Sequence, residues 1–428
     1  MKIAIAGYGV EGEASLNYWL AQGENELTVF DQKPLSIELP AGVRLVTGAA
    51  VFGQLDGYDM VVRTPSLSPS SIKTDGKVWS ATNEFFDKCP APIIGVTGSK
   101  GKGTTASLIA NILRKAGKTV WLVGNIGQPA LTVFEQIKAS DVVVYELSSF
   151  QLWDLGKSPH VAVVLFIEQE HLDVHSSMDE YVLAKANIAK YQTEADVLVY
   201  NQNNSYARGI ASKSKAQTVG YPDVKTAHIK DDAFYYGEQK ICSVDSLRIA
   251  GPHNRDNACA AIDAVWPYTK DADNISAGLA AFHGLPHRLE YVDEVGGVKY
   301  YDDSIATTPS SAIAALRTFD QPKVIILGGS SKGSDFTELA KELKKHDVRA
   351  ILIGNEAVRI ADACEVGGFS NYEIMTEPTA TRIVRRASQI AKPGSVVLLS
   401  PASASFGLFK NYADRGEQFS RAVGELEG

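Results

Sequence analysis

A chain of 428 residues is longer than one ordinary hydrophobic core and implies about two to four domains. Hydrophobic residues at 45% and charged residues at 21% are the balance of a soluble globular protein, and no apolar run is long enough to span a membrane. A net charge of −8 leaves no basic footprint for nucleic acid.

Residues 1–88 read as a Rossmann-like α/β unit. The strand Lys2-Ile3-Ala4-Ile5-Ala6 runs into Gly7-Tyr8-Gly9-Val10-Glu11-Gly12, and a helix follows with Ala14, Leu16, Trp19 and Leu20 at helical spacing. A second strand, Leu27-Thr28-Val29-Phe30, ends at Asp31, roughly 20 residues beyond the glycines. Strand, G-x-G-x-x-G, helix and a later acid make a dinucleotide fingerprint. The glycine turn and helix N-terminus take a pyrophosphate, and the acid takes a ribose. A UDP-sugar carries both groups. The chain opens directly on a strand, so no secretory leader is expected. Strand Met60-Val61-Val62 then enters Arg63-Thr64-Pro65-Ser66-Leu67-Ser68-Pro69, a loop at the carboxyl edge of a sheet, where ligands bind.

Residues 89–284 centre on Ile93-Ile94-Gly95-Val96-Thr97-Gly98-Ser99-Lys100-Gly101-Lys102-Gly103-Thr104-Thr105. A glycine-rich turn between a strand and a helix surrounds an anion with backbone N–H groups and the positive end of the helix dipole. Gly98, Gly101, Gly103, Thr104 and Thr105 would cradle phosphates, Lys102 would reach the terminal ones, and a hydroxyl just after the lysine would hold Mg²⁺. Val96 and Gly103 depart from G-x-x-x-x-G-K-[ST], so that hydroxyl comes one residue late, at Thr104. Further apolar strands end in Gly124-Asn125-Ile126-Gly127, in Glu146-Leu147-Ser148-Ser149 and, after Phe166, in Glu168-Gln169-Glu170-His171. Continuous apolar strands alternating with helices indicate a parallel sheet, here of the P-loop ATPase type. Lys102, Thr104, Glu146 and His171 together make a donor set suited to Mg²⁺ with nucleotide phosphates. Lys185, in Ala184-Lys185-Ala186-Asn187, has the look of a solvated helix lysine.

Residues 285–428 form a third, Rossmann-like α/β unit with strands Val324-Ile325-Ile326-Leu327, Ala350-Ile351-Leu352-Ile353 and Ser395-Val396-Val397-Leu398-Leu399. Polar loops follow at Gly328–Gly333 and Ser400–Ser405. The scattered Cys89, Cys242, Cys259 and Cys364 have no C-x-x-C pair and read as reduced thiols of a cytoplasmic protein.

In this order, the phosphate loop, Asn125-Ile126-Gly127, Glu146-Leu147-Ser148-Ser149-Phe150-Gln151-Leu152, His171-Leu172-Asp173 and Ala184-Lys185 resemble motifs of the Mur ligases. The resemblance continues through Gly251-Pro252-His253-Asn254-Arg255-Asp256-Asn257-Ala258, Gly284-Leu285-Pro286-His287-Arg288-Leu289-Glu290, Asp303-Ser304, Lys332-Gly333-Ser334-Asp335-Phe336 and Ser400-Pro401-Ala402-Ser403-Ala404-Ser405-Phe406. It implies three domains that bind UDP-sugar, ATP and amino acid in turn. It also implies a cytoplasmic, monomeric ligase of peptidoglycan synthesis, which adds glutamate to UDP-N-acetylmuramoyl-L-alanine through an acyl phosphate. By the same resemblance Gly9, Val10, Asp31, Gln32, Asn125 and Ser148 bind the sugar nucleotide, and Asn254, Asn257, Arg288 and Asp303 contact ATP. Thr307, Lys332, Ser405 and Tyr412 bind glutamate. Thr104 and Glu146 hold one Mg²⁺, and His171 a second with Lys185 as its carbamate. Lys102, Glu146, His171 and Lys185 are then the catalytic set.

Ile305 stands where the resemblance leads one to expect a lysine beside the amino acid. D-Glutamate is favoured, and L-glutamate stays open. A folylpolyglutamate synthase-like ligase shares the Lys-Gly-hydroxyl loop but has no need of the N-terminal fingerprint. That fingerprint alone would suit a nicotinamide-dependent dehydrogenase, and the phosphate loop alone a nucleotide-binding regulator without turnover.

Overall fold

The computed structural model describes residues 1–35, 38–172, 174–249, 251–330, 333–405 and 407–426. Residues 1–282 form one compact unit and residues 283–428 another.

In the first unit, β1 (Lys2–Ala6), β2 (Glu26–Asp31), β3 (Arg44–Thr47), β4 (Met60–Arg63) and β5 (Lys77–Ser80) form a parallel sheet ordered β3-β2-β1-β4-β5. Strand order reverses at β1, so the loop from β1 into α1 (Val10–Ala21) opens at the switch point, where such sheets bind ligands. Helix α2 (Ala81–Lys88) leads out of this sheet, capped by Ser80, whose hydroxyl accepts from the Asn83 N–H.

A second parallel sheet follows, built from β6 (Ile93–Thr97), β7 (Val120–Gly124), β8 (Val142–Glu146), β9 (Val161–Val164), β10 (Val197–Asn201) and β11 (Gln217–Tyr221). Its order is β11-β10-β9-β6-β8-β7, which places β6 between β8 and β9. Every residue of β6, β8 and β9 is buried. A strand covered on both faces needs a continuous apolar run, and each buried Ile or Val in it contributes about 1.5–3 kcal/mol relative to exposure. The connecting helices are α3 (Lys102–Lys115), α4 (Ser149–Leu152), α5 (Met178–Lys190) and α6 (Ser205–Ala211). Side chains from the two sheets meet in one apolar core, from Ile3 and Trp19 through Phe85 and Tyr145 to Leu198.

The chain then makes a small antiparallel sheet, β12 (Ala227–Lys230), β13 (Ala233–Tyr236) and β14 (Gln239–Ser243), which the continuous-strand pattern does not announce. These strands are short, and their polar residues match a half-solvated sheet. Helices α7 (Pro252–Val265) and α8 (Ala272–Ala280) pack on α3. The closest approach is at Gly278, where a methyl group would lie 2.4 Å from Ile112 Cα. Among the described residues no helix is long and apolar enough to cross a membrane, and the four cysteines carry free thiols.

In the second unit, β15 (Glu290–Val295), β16 (Val298–Asp302), β17 (Lys323–Gly328), β18 (Val348–Ile353), β19 (Tyr372–Ile374) and β20 (Val396–Leu399) are ordered β15-β16-β20-β17-β18-β19. All neighbours are parallel except the β15–β16 hairpin. The helices are α9 (Pro309–Thr318), α10 (Thr337–Leu343), α11 (Ala357–Gly367), α12 (Ala380–Ile390) and α13 (Tyr412–Gly424). Successive residues of β17 serve opposite faces: Ile325 and Leu327 pack with α9, α10 and α11, and Val324 and Ile326 with α12 and α13.

One buried cation clamps the first unit. Arg63, at the end of β4 and 1% exposed, donates through Nε to Asp154 Oδ2 (2.8 Å) and through Nη2 to Phe150 O (3.0 Å). Its Nη1 donates to Leu67 O (3.1 Å). Arg63→Ala leaves Asp154 and the carbonyls of Thr64, Leu67 and Phe150 without their partner, and the expected cost is about 3–5 kcal/mol. The check is the urea midpoint of the first unit, which should fall; an unchanged midpoint would show that the clamp adds nothing.

Candidate functional site

The first site grows from the glycine turn after β1. Gly7 has φ 90°, and a methyl group on Gly12 would lie 2.2 Å from Gly7 O, so the first and third glycines serve the turn and the tight seating of α1. At Gly9 a methyl group would meet nothing within 4 Å, because that side faces open space. Asp31, at the end of β2, accepts from Tyr8 N (2.8 Å) and Lys33 N (2.9 Å). Around these groups lies a cleft of about 600 Å³.

All the residues expected to bind a sugar nucleotide, Gly9, Val10, Asp31, Gln32, Asn125 and Ser148, line this cleft. Thr64, Phe150, Gln151 and Glu11 line it too, and motif reading did not single them out as ligands. Ser148 and Gln151 form a capping box at α4, with Gln151 N donating to Ser148 Oγ (3.2 Å) and Ser148 N to Gln151 Oε1 (2.9 Å). Gln151 Nε2 reaches on to Glu11 Oε1 (3.3 Å). The other oxygen of Glu11 is buried without a partner, and burial raises this carboxyl against the lowering effect of the Gln151 bond.

The second site is the loop between β6 and α3. Gly101 turns left-handed at φ 86°, which lets α3 begin at Lys102, earlier than the apolar spacing from Ala106 indicates. The first-turn amides of α3 are those of Lys102, Gly103, Thr104 and Thr105. A methyl group on Gly98 would lie 2.7 Å from Leu165 Cβ, and one on Gly101 2.4 Å from Asn257 Oδ1. Asn257 is thereby brought against the loop, and its Nδ2 donates to Asn254 Oδ1 (3.1 Å).

Lys102 Nζ donates to Gly98 O (3.1 Å) and Ser99 O (2.7 Å). Lys185 Nζ donates to the same Gly98 O (2.8 Å). Far from being solvated, Lys185 is 1% exposed, with its ammonium 4.5 Å from the centre of the Tyr181 ring. Burial, and then the charge of Lys102, hold its pKa well below that of a free lysine, against the opposing pull of Glu170 and Glu146. Tyr181 OH is hydrogen-bonded to Ser99 Oγ (2.9 Å) and donates to Glu170 Oε2 (3.3 Å). His171, at φ 57°, reaches this group through Glu170 (Nε2 to Oε2, 3.9 Å) and packs on the Phe150 ring at 5.0 Å. Tyr181 has no motif signal, since its partner Ser99 lies far away in the chain, whereas Glu170 stands beside His171 in the polar run after β9.

Glu146 closes β8 and is buried, and its Oε1 accepts from Asn125 Nδ2 (3.1 Å). The hydroxyl of Thr105 is buried with no partner, beside the buried Thr104. A buried carboxylate held by a neutral amide, with hydroxyls at a helix N-terminus, fits a hard cation carrying phosphate.

In the second unit Asp303 and Thr307 follow β16, Ser405 follows the adjacent strand β20, Arg288 precedes β15 and Tyr412 begins α13. Asp303 is buried, accepts from Ser400 Oγ (2.6 Å) and Leu289 N (3.2 Å), and is pushed up to about 7 by burial, opposed first by the Ser400 bond and also by Arg288. Arg288 is exposed, Thr307 is half-buried, Ser405 is buried and Tyr412 opens α13 with 43% exposure. Arg415 gathers these loops: its Nε donates to Ser304 Oγ (2.8 Å), Nη2 to Ser304 O (2.7 Å) and Nη1 to Ser403 O (3.2 Å). Ser304 Oγ donates in turn to Tyr412 O (2.7 Å). Burial lowers Arg415 to about 10. Lys332 lies outside the described residues.

Comparison with known proteins matches this geometry to a family. The family model described as Mur ligase middle domain matches residues 96–265, and that described as Mur ligase, glutamate ligase domain matches residues 287–403. A UDP-N-acetylmuramoylalanine–D-glutamate ligase of Clostridium tetani is 36% identical over 99% of this chain and 97% of its own length. A relative of the same name from Acetivibrio thermocellus is 38% identical over 100% and 97%. Among solved structures, the UDP-N-acetylmuramate-alanine ligase of Thermotoga maritima shares the fold with a TM-score of 0.64 at 18% identity, covering 100% of both chains.

Proposed function

This chain belongs to the Mur ligases, ATP-dependent amide ligases, and from that premise we propose that it adds D-glutamate to UDP-N-acetylmuramoyl-L-alanine in peptidoglycan precursor synthesis. The observation that carries the proposal is the position of Asn125. It lines the fingerprint cleft, and its Nδ2 holds Glu146, which closes the strand next to the phosphate loop. A sugar nucleotide in the cleft therefore extends toward the place where phosphoryl transfer occurs. We assign residues 1–88 to the sugar nucleotide, 89–284 to ATP and 285–428 to the amino acid; the separate sheets of these segments support that division. Action as a monomer in the cytoplasm, without nucleic acid or membrane insertion, belongs to the same reading.

The substrate carboxylate attacks the γ-phosphorus of ATP, giving an acyl phosphate and ADP. Glutamate nitrogen then attacks the acyl carbon, phosphate departs and an amide forms. Both reacting partners of the first step are anions, so Lys102 and the α3 N-terminus must neutralise charge as they approach. Two Mg²⁺ ions, one on Thr104 and Glu146 and one on His171 with the carbamate of Lys185, would add to that neutralisation. A lysine forms a carbamate with CO₂ only as the neutral amine, and the buried environment of Lys185 favours that form.

The test is phosphate release with ATP, Mg²⁺ and UDP-N-acetylmuramoyl-L-alanine, comparing D- with L-glutamate. Release that requires D-glutamate is expected. L-glutamate is the second reading, favoured by the half-buried Ile305, which offers no charge to a carboxylate. Release with L-glutamate alone would reassign the isomer, and release with neither would overturn the proposal.

Gly9 supplies a sharper test of the cleft. Gly9→Ala should fold normally, since its methyl group meets no protein atom. It should weaken sugar-nucleotide binding about tenfold or more, because a methyl there stands where the pyrophosphate approaches. Calorimetric titration with UDP-N-acetylmuramoyl-L-alanine measures this, and an unchanged affinity would move the ligand elsewhere.

A further inference from the structure

Ligation requires the glutamate ammonium to lose a proton, and the second unit holds a group built for that step. His287, at φ 61°, sets Nδ1 2.7 Å from Asp302 Oδ2. Asp302 closes β16, is 0% exposed and accepts through Oδ1 from Ser304 N (2.8 Å). The His287 N–H donates to Glu290 Oε2 (2.7 Å), and Ile305 N donates to His287 O (3.1 Å). A methyl group on Gly416 would lie 2.1 Å from His287 Nδ1 and 2.2 Å from Asp302 Oδ2, so the backbone of α13 lies directly over the pair and shields it from water. One turn earlier in α13, the Tyr412 ring meets the imidazole edge to face at 6.1 Å.

His287, Glu290 and Asp302 have the side chains of a metal site, all within 4.8 Å of one another. Asp302 Oδ2 is already committed to His287 Nδ1 and Glu290 Oε2 to the main-chain N–H of His287, which describes a held imidazole and not an open cation site. With a carboxylate on Nδ1, the proton stays on that nitrogen and Nε2 is left basic. Of the other charged or titratable groups, Tyr412 meets the imidazole, Glu290 and Arg415 interact with Asp302, and Asp303, beside Arg288, feels the charge of Asp302.

We propose that His287 Nε2 is the base that deprotonates the incoming glutamate, with Asp302 as its positioning residue; this rests on the ligase reading above. Nε2 takes one proton from the ammonium, and Asp302 balances the imidazolium. The freed lone pair bonds to the acyl carbon, the carbon–oxygen bond to phosphate breaks, and phosphate leaves with the electron pair. The second nitrogen proton passes to the departing phosphate, and the imidazolium returns its proton to solvent.

The experiment compares glutamate with hydroxylamine, a nucleophile already unprotonated at neutral pH, in the full-length enzyme with ATP, Mg²⁺ and UDP-N-acetylmuramoyl-L-alanine. His287→Gln should lose about 10²–10⁴-fold in glutamate ligation and keep hydroxamate formation near the wild-type rate. Equal loss with both nucleophiles, or no loss with glutamate, overturns the assignment. Asp302→Asn gives an independent reading: the acidic limb of kcat/KM for glutamate should move to lower pH, and an unmoved limb overturns the positioning role. If the wild type yields neither hydroxamate nor phosphate, the ligase reading itself fails, and the base assignment falls with it.

Discussion

Lys102→Ala will lower phosphate release on the order of 10²–10³-fold while leaving affinity for UDP-N-acetylmuramoyl-L-alanine unchanged. Its ammonium sits in the mouth of the phosphate loop, on the carbonyls of Gly98 and Ser99. Charge removed there is charge missing when a carboxylate approaches a triphosphate, so the loss belongs in kcat. Steady-state kinetics paired with calorimetric titration of the sugar nucleotide separates the two effects. Parallel loss of affinity would refute the division of labour between cleft and loop.

The second large effect is at Lys185. Lys185→Ala should reduce activity by at least about 100-fold, and a small carboxylate such as acetate should restore part of it. The physical basis is the buried amine. Its desolvation and the neighbouring Lys102 disfavour the ammonium, which shifts the balance toward the neutral form that reacts with CO₂. The proposed carbamate would place an anion beside Lys102, and free acetate could take its place once the side chain is gone. Lys185→Arg, a cation that cannot form a carbamate, should be inactive and refractory to acetate. Activity retained in Lys185→Arg, or no rescue of Lys185→Ala at any acetate concentration, would remove the carbamate from the mechanism.

Much of this molecule is legible as local pattern. The turns at Gly7 to Gly12 and Gly98 to Gly101 follow strands and open helices, and the positive φ values of Gly7, Gly98 and Gly101 belong to those turns, although the groups that crowd out a side chain there, Thr64, Leu165 and Asn257, come from far along the chain. The same holds for the polar ends of β6, β8 and β20, because a continuous apolar run that stops at a polar residue marks the edge of a covered sheet. Even the departure at Gly103 is accommodated locally, inside the first turn of α3.

The sequence by itself determined three α/β segments, the two glycine-rich turns and the residues at the strand ends, since each depends on periodicity and backbone freedom within one short stretch. Only the tertiary structure decided which charges are dry and which pairs meet. It buried Lys185, joined Arg63 to Asp154, tied Arg415 to Ser304 and placed Asp302 on His287. The protonation state of a side chain is set by desolvation and by partners through space, and those partners are brought together by sheet order and helix packing, which hydrophobic spacing does not encode.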